Sequence, residues 1–372
     1  MRLSPPQSRL RSLDAYRGIT IAAMILVNDP GAVENTYPAL LHAPWTGWTF
    51  ADTIFPAFLW IIGVSITLST AARLARGDDR GTLLRHGLQR SALLFLIGIA
   101  LSDLTFPVRT FPYFRFEDYL PLTGVLQKIA VCYLAATAIF LWTTWRGVIA
   151  WIIGLSAVYV ALMSLFTVPN CNAGTWTVDC NFAGYIDRVL LEGHLWRNDA
   201  KQDPDGLGSL LPAITSVLFG VLAGYVLKAD ARPSGQVGWM LMMAGALMPL
   251  GLLLSLWIPI SKPLWTPSFA IFMAGLSSAC MAFWIWVADL RQWVRWLKPL
   301  EIFGMNAIAA YIVSIAGMNV AKIHFSGKTL YDDVCMAIAS PENASLIYAA
   351  LHVLGVFLVV WFMYRKRWFL RI

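Results

Sequence analysis

The chain has 372 residues, of which 58% are hydrophobic and only 13% are charged, whereas an ordinary soluble domain is about 25% charged. This composition excludes a soluble globular protein and is typical of a protein that crosses a membrane several times, because a helix of about 20 apolar residues satisfies its own backbone hydrogen bonds in the bilayer. The net charge of +7 lies in short connections between apolar runs, so it points to membrane orientation and anionic lipid, and not to nucleic acid.

The apolar runs predict an all-α polytopic membrane protein, with about ten transmembrane helices in a single membrane domain over residues 1–372. Longer connections on the outer side cover about residues 31–49, 168–208 and 319–343. The first and third runs are short for a full crossing, so flanking residues are expected to complete them. The predicted spans, in chain order, are residues 19–30, 50–72, 91–104, 122–142, 148–167, 209–227, 237–257, 267–287, 300–318 and 345–364.

The connections between the predicted spans alternate in their content of Lys and Arg. With the N-terminus in the cytoplasm, 19 Lys and Arg residues fall on the cytoplasmic side and 8 on the outer side. Because basic residues concentrate on the cytoplasmic side of multi-pass proteins, both termini are predicted to be cytoplasmic. Cys171 and Cys180 then share an outer loop in an oxidising compartment, which predicts a disulfide between them.

The first outer loop carries His42, and Asp52 lies just inside the second predicted span. A histidine titrates near neutral pH, and a carboxylate close by can orient the imidazole or stabilise its charged form, as a general base requires. The alternative is that His42 only forms a hydrogen bond at the membrane interface and that Asp52 caps the second span or bonds to another helix. Asp52 stays a functional candidate because an unpaired carboxylate in a membrane span is costly.

Arginines flank the cytoplasmic ends of the first two spans. A guanidinium group binds phosphate oxygens in pairs, so these arginines are candidates for holding the phosphates of a nucleotide-like cofactor. The alternative is that they only set the topology and bind lipid headgroups. The residues concerned are Arg17 before the first span and Arg73, Arg76, Arg80, Arg85 and Arg90 in the second connection.

Asp203 and Asp205 end the long outer loop directly before the sixth span. Two outward carboxylates can bind a cationic or hydroxylated ligand, but the residues by themselves favour turn formation with an Asp near a helix N-terminus. The histidines and cysteines show no metal-ligand spacing, so no metal is expected.

Seven segments of the chain, taken in order, carry a resemblance to a known family. They are RLRSLDAYRG at 9–18, VN at 27–28, HAPWTG at 42–47, ADTIFP at 51–56, DPDG at 203–206, KPLW at 262–265 and GMNA at 304–307. Together they resemble the heparan-α-glucosaminide N-acetyltransferase family of transmembrane acyltransferases. The likeness covers nearly the whole chain and is nearest to bacterial members, sometimes called NagX, which carry N-acetylglucosamine-related or transporter labels.

The resemblance implies a multi-pass enzyme of the bacterial inner membrane. Acetyl-CoA would enter from the cytoplasm, and its acetyl group would reach the amino group of a glucosamine-like sugar on the periplasmic side. His42 matches the family's proposed catalytic residue and Asn28 its supporting asparagine, while Asp52 would orient the imidazole. Both a general-base route and an acetyl-histidine intermediate stay open.

The remaining assignments also follow from the resemblance. The coenzyme is expected to contact Arg17, Arg73, Arg76, Arg85 and Arg90. The acceptor sugar is expected to contact Asp203, Asp205, Lys262 and Asn306. Membrane lipid is an expected partner, and a homodimer is a further expectation.

The main alternative is a secondary transporter of amino sugars or N-acetylglucosamine-related solutes. Transport predicts paired acidic residues or broken-helix ion sites at the middle of the membrane, usually in repeat-related positions, and the sequence shows neither pattern. A membrane scaffold without chemistry would explain the hydrophobicity, but not the arrangement of His42 and Asp52.

Overall fold

The computed structural model describes residues 10–105, 122–192, 194–195, 202–321, 331 and 335–370, and this part of the chain is helical with no β-strand. Several basic residues used for the predicted topology lie outside it, namely Arg2, Arg9, Arg109, Arg115, Arg197, Lys201, Lys322, Lys328 and Arg371. The helices are α1 Arg11–Asn28, α2 Phe50–Leu74, α3 Arg80–Thr105, α4 Val125–Trp142, α5 Trp145–Leu165, α6 Phe182–Leu190, α7 Leu210–Ala229, α8 Pro233–Leu254, α9 Pro267–Ile285, α10 Val294–Met305, α11 Ala307–Ala321, α12 Met336–Ile338 and α13 Pro341–Arg365.

Seven helices of the described part are long and apolar enough to cross a membrane, namely α2, α4, α5, α7, α8, α9 and α13. Helices α10 and α11 make an eighth crossing if they are counted together, with a bend of 76° between them. These eight elements correspond to predicted spans two and four to ten. The predicted first and third spans are the continuous helices α1 and α3, which are less apolar. Helix α1 begins at Arg11, earlier than predicted, and so includes the charged residues Asp14 and Arg17.

Helix α13 runs from one end of the bundle to the other. Near its start, Asn343 accepts a hydrogen bond from Tyr37 in the first loop. Just beyond its end, the carbonyl of Trp368 accepts a hydrogen bond from Asn306. A helix of 25 residues is about 37 Å long, so the first loop and Asn306 lie at opposite ends of the bundle. These are called here the His42 end and the Asn306 end.

Helices α2 and α7 form the centre of the bundle and approach each other closely. Any side chain at Gly63 would overlap the Val217 carbonyl, and any side chain at Gly220 would overlap the Trp60 carbonyl. Small residues of this kind allow membrane helices to pack backbone against backbone. Because α2 is held so tightly against α7, Asp52 at the start of α2 has a fixed position relative to the loops around it.

The loop after α5 confirms the predicted disulfide, since Cys171 and Cys180 are bonded. The indole of Trp45 donates a hydrogen bond to the Trp176 carbonyl at 2.7 Å, which puts this loop at the His42 end. The loop also contains α6, which was not predicted. Asn181 caps that helix by accepting a hydrogen bond from the backbone N–H of Gly184.

Candidate active site

Asp52 lies in the first turn of α2 and uses its two carboxylate oxygens for different contacts. Its Oδ2 accepts hydrogen bonds from the backbone N–H groups of Thr49 and Ala43, at 3.0 and 2.9 Å. The bond from Thr49, the N-cap residue of α2, is part of a capping box, whereas the bond from Ala43 ties the first loop to the start of the helix. Its Oδ1 lies 2.8 Å from Nδ1 of His42. Asp52 therefore both caps the helix and pairs with the histidine, which were the two alternatives predicted for it.

The pairing decides which nitrogen of His42 is able to act as a base. Asp52 accepts several N–H bonds, so its carboxylate is ionised and acts only as an acceptor. The proton of the neutral imidazole therefore belongs on Nδ1, which leaves a lone pair on Nε2. The His42 side chain is 48% exposed whereas that of Asp52 is fully buried. The buried carboxylate thus fixes the imidazole, while part of the ring stays accessible to a substrate, as a general base requires.

Lys262 completes this group from a distant part of the chain. Its Nζ lies 3.0 Å from Nδ1 and 3.3 Å from Nε2 of His42, and 3.4 Å from Oδ1 of Asp52. Burial lowers the pKa of Lys262 from its ordinary value, although the charges of Asp52 and Asp205 oppose that shift. The Lys262 ammonium thus contacts both the imidazole and the carboxylate.

The loop between α8 and α9 is fixed from several sides, and this brings Lys262 to His42. Gly47 in the first loop donates its N–H to the Ile260 carbonyl at 2.8 Å. Tyr159 on α5 donates its hydroxyl to the Leu264 carbonyl at 2.7 Å. The next residue, Trp265, has a φ of 50°, a left-handed conformation that is uncommon for a bulky residue and is found where the surroundings hold it.

Trp265 lies beneath a second lysine, Lys128 of α4. The Lys128 ammonium is 4.3 Å from the centre of the Trp265 ring, a distance typical of a cation–π contact. It is fully buried and bonds to Oγ of Ser209 at 2.8 Å. Its nearest carboxylate oxygen is that of Asp205, at 3.8 Å. A buried ammonium needs such partners, so Lys128 ties α4 to the loop that carries Asp205.

The two aspartates of the predicted acceptor site have different surroundings. Asp203 is buried, and its carboxylate is engaged in structural hydrogen bonds. It accepts one from the Thr123 hydroxyl, just before α4, at 2.6 Å and one from the Asp205 N–H at 2.9 Å. Asp205 is 20% exposed, and its charge interacts with those of Lys128, Lys262 and His42. Burial raises the pKa of Asp205 from its ordinary value. Asp205 is thus the carboxylate of the pair that faces the His42 group.

A third carboxylate, Asp187 of α6, supports the same loop. Its Oδ1 accepts the N–H of Gly208 at 2.9 Å, whereas its buried Oδ2 has no partner among the described residues. Burial raises the pKa of Asp187 to about 6. Asp187 thus helps to hold the loop in place. Its role was not predictable from the sequence, because α6 was not predicted.

A cavity of about 380 Å³ runs through the bundle towards this group. At the His42 end it is lined by Phe55, whose ring lies 5.2 Å from that of Trp265, and by Tyr311, whose environment includes the charge of Asp205. At the other end it is lined by Arg17, Ser69 and other polar residues. The 14 residue steps from Phe55 to Ser69 along α2 correspond to about 21 Å, so the cavity crosses much of the membrane thickness.

Two of the five predicted coenzyme arginines line this cavity. Arg17 donates hydrogen bonds to Oγ of Ser65 at 2.8 Å and to the Gly304 carbonyl at 3.5 Å, so it joins three helices at the cavity wall. Arg90 lies over the ring of Tyr133, 4.9 Å from its centre. The other three do not line the cavity. Arg73 pairs with Asp78, while Arg76 and Arg85 are exposed.

Two predicted site residues are not bonded to the His42 group in the described part of the chain. Asn28 is exposed at the end of α1. Asn306 lies at the other end of the bundle, at the bend between α10 and α11. Its side chain bonds the Trp368 carbonyl and the Leu370 N–H and so holds the segment after α13 in place.

Comparison with known proteins identifies the family of the chain. The family model described as "Heparan-alpha-glucosaminide N-acetyltransferase, catalytic" matches residues 9–240, which is more than half of the chain. The chain belongs to this family. The heparan-alpha-glucosaminide N-acetyltransferases of Homo sapiens and Mus musculus are each 27% identical to it, over 100% and 82% of this chain. The alignments cover 61% of the human protein and 53% of the mouse protein, so the chain spans only part of the length of these relatives.

The segment of the chain that matches the heparan-α-glucosaminide N-acetyltransferase family model contains only part of the site. Residues 9–240 include His42, Asp52, Lys128 and Asp205. Lys262 follows later in the chain and reaches the group only through the fold.

The roles of Lys128 and Trp265 in this family member were not predictable from the sequence pattern alone. The available signal for Lys128 was a single charge inside an apolar run, which predicts a buried partner. Trp265 gave no such signal, because its left-handed backbone depends on the surrounding loops. No cluster of three or more His, Cys, Asp or Glu side chains suited to a metal ion occurs among the described residues.

Proposed function

We propose that this protein is a transmembrane acyltransferase that moves an acetyl group from cytoplasmic acetyl-CoA to the amino group of a glucosamine-like sugar on the periplasmic side of the bacterial inner membrane. The observation that carries the proposal is the cavity between Arg17 and Phe55. Phe55 lies one turn after Asp52 on α2 and packs against Trp265, which follows Lys262 in the loop. A cavity that leads from a basic region towards a histidine base suits a thioester arm held at one end by its phosphates.

His42 is the proposed general base. Aminolysis of a thioester requires a neutral amine close to the carbonyl carbon, and the attacking nitrogen must lose a proton. Nε2 of His42 takes that proton, and Asp52 stabilises the imidazolium through the bond to Nδ1. Asn28 is proposed to donate an amide hydrogen bond to the tetrahedral oxyanion. An acetyl-histidine intermediate would use the same nitrogen, Nε2, as its nucleophile.

The donor is proposed to enter at the Asn306 end. Arg17 lines the cavity there beside Gly304, and Arg90 lines it further in, over Tyr133 of α4. Both suit the phosphates of coenzyme A, because guanidinium groups bind phosphate oxygens well. The pantetheine arm would extend past Ile62 towards Phe55, so that the thioester reaches the His42 group. Further phosphate contacts from Arg73, Arg76 and Arg85 stay predictions.

The acceptor is proposed to bind at the His42 end, between Asp205 and Lys262. A carboxylate and an ammonium there suit the amino and hydroxyl groups of a sugar. Asp203 shapes the same loop, and Asn306 is proposed to act only by shaping the donor entrance. The topology that goes with this function has ten crossings in one membrane domain with both termini cytoplasmic, and a homodimer and bound lipid stay predictions.

Purified protein in liposomes of known orientation tests the proposal, with labelled acetyl-CoA on one side and glucosamine on the other. We expect acetylated glucosamine on the side opposite to coenzyme A. His42→Ala should lower turnover at least the roughly 100-fold that a general base commonly contributes, whereas His86→Ala, an exposed histidine on α3, should have no effect. Coenzyme-independent uptake of sugar, or full transfer by folded His42→Ala protein, would overturn the proposal.

A further inference from the structure

Lys262 has the position that an acceptor amine needs. Its Nζ lies 3.0 Å from Nδ1 and 3.3 Å from Nε2 of His42, so the amine is in contact with the proposed general base. The same imidazole is bonded through Nδ1 to Asp52 at 2.8 Å, and the Lys262 ammonium lies 3.4 Å from that carboxylate. An amine, a base and an orienting carboxylate are thus in mutual contact, and these are the components of enzymes in which a protein side chain is itself acylated.

The surroundings of Lys262 favour attack by its amine. The side chain is 18% exposed, so bulk water has limited access to it. Burial lowers its pKa, which increases the neutral fraction of the amine near neutral pH. Asp205 is near enough to interact with its charge. The amine therefore lies next to a base and has less tendency to stay protonated than an exposed lysine.

We infer that Lys262 is a self-acetylation site, which accepts an acetyl group from bound acetyl-CoA when no amino sugar occupies the acceptor position. This inference rests on the proposed function, since it requires the thioester to reach the His42 group.

The reaction balances without any further reagent. The lone pair of Nζ attacks the thioester carbonyl carbon, a C–N bond forms and the C–S bond breaks. Nε2 of His42 takes the proton that Nζ loses, and that proton then passes to the leaving thiolate. The products are an Nε-acetyl-lysine and free coenzyme A. Acetylation removes the positive charge of Lys262 and adds an acetyl group where the acceptor amine would stand.

Two consequences follow from this position. An amino sugar bound at the site separates Lys262 from the thioester, so the sugar protects the lysine. Acetyl-Lys262 in turn blocks the acceptor position, so protein that has been exposed to acetyl-CoA without sugar loses transferase activity. The modification therefore couples activity to the supply of the acceptor.

The test is mass spectrometry of the full-length protein after incubation with acetyl-CoA, with and without glucosamine. We expect one acetyl group on Lys262 in the absence of glucosamine, at least 10-fold less in its presence, and loss of the label in His42→Ala protein. Lys228 is the matched control. It is exposed in the last turn of α7, away from the His42 end, so its label measures chemical acetylation that does not require the His42 group. Lys262→Arg should lose the label at this site while Lys228→Arg keeps it.

The outcomes separate this inference from the proposed function. If glucosamine is acetylated while Lys262 stays unmodified under every condition, the self-acetylation site is wrong and the proposed function stands. If neither becomes acetylated by folded protein that binds acetyl-CoA, both are wrong. Equal labelling of Lys262 and Lys228, unaffected by His42→Ala, would show chemical acetylation only and would overturn the inference.

Discussion

Oδ1 of Asp52 lies 2.8 Å from Nδ1 of His42, while Oδ2 of the same carboxylate caps α2. The proposed catalytic base is therefore oriented by a residue that also fixes the start of a membrane helix. This arrangement holds the base rigidly, because Asp52 is fully buried and cannot turn without losing the cap. It also means that loss of activity and loss of stability must be separated when Asp52 is substituted.

Two substitutions separate these effects. Asp52→Asn keeps the size of the side chain but removes the charge that stabilises the imidazolium. We therefore expect turnover to fall by roughly 10-fold or more, which is part of the effect that a general base commonly contributes. Thr49→Ala removes a cap hydroxyl and should cost about 1 kcal/mol of stability with turnover nearly unchanged. Steady-state transfer assays together with thermal unfolding in detergent measure both. Wild-type turnover by Asp52→Asn protein would contradict the orienting role.

The second prediction concerns donor binding by Arg17. Arg17→Gln keeps a hydrogen-bonding group but removes the charge, so the donor dissociation constant should rise roughly 10- to 100-fold, which corresponds to the loss of one charged hydrogen bond. High salt should weaken wild-type binding more than binding by the variant. Arg232→Gln is the control, since Arg232 is exposed, pairs with Asp230 and does not line the cavity. Isothermal titration with acetyl-CoA measures all three constants, and an unchanged constant for folded Arg17→Gln protein would put the coenzyme elsewhere.

The third prediction is a dependence of stability on pH that comes from Asp187. Burial raises the pKa of its carboxyl to about 6, so the folded state holds this proton more tightly than the unfolded state. The stabilisation is complete below about pH 4 and is lost as the pH rises to about 6, by up to about 3 kcal/mol. Asp187→Asn cannot ionise and should lack this contribution.

Thermal unfolding of both proteins between pH 4 and 7 measures the effect of Asp187. The wild-type protein should lose stability relative to Asp187→Asn as the pH rises through this window. A constant difference between the two proteins across the window would mean that Asp187 titrates alike in the folded and unfolded states, and would contradict the prediction.

The fourth prediction concerns the contact between α2 and α7. Gly220→Val would place a branched side chain against the Trp60 carbonyl, and forcing the helices apart should cost about 1–3 kcal/mol or more. Gly245→Val is the control, because nothing lies within 4 Å of that position on α8. Thermal unfolding in one detergent compares the two proteins. Equal stability would show that the helices are not in close contact at Gly220.

The amino-acid sequence by itself determined the helical membrane class, the main spans and the disulfide between Cys171 and Cys180. Each depends on local properties. A span is set by the apolar character of about 20 consecutive residues, and two cysteines in one loop are already near each other. The pairing of His42 with Asp52 was predictable for the same reason, since Asp52 lies in the first turn of a helix that directly follows the loop of His42.

Only the tertiary structure decided which other residues join the site. Lys262 is 220 residues from His42 in the chain, and its position depends on hydrogen bonds that tie its loop to the first loop and to α5. The arginines were alike in the sequence, but only Arg17 and Arg90 line the cavity, because helix packing decides which side chains face inwards. Asn306 shared a family motif with the site and yet lies at the other end of the bundle. A motif carries no information about distance across the membrane, whereas the packed helices fix that distance.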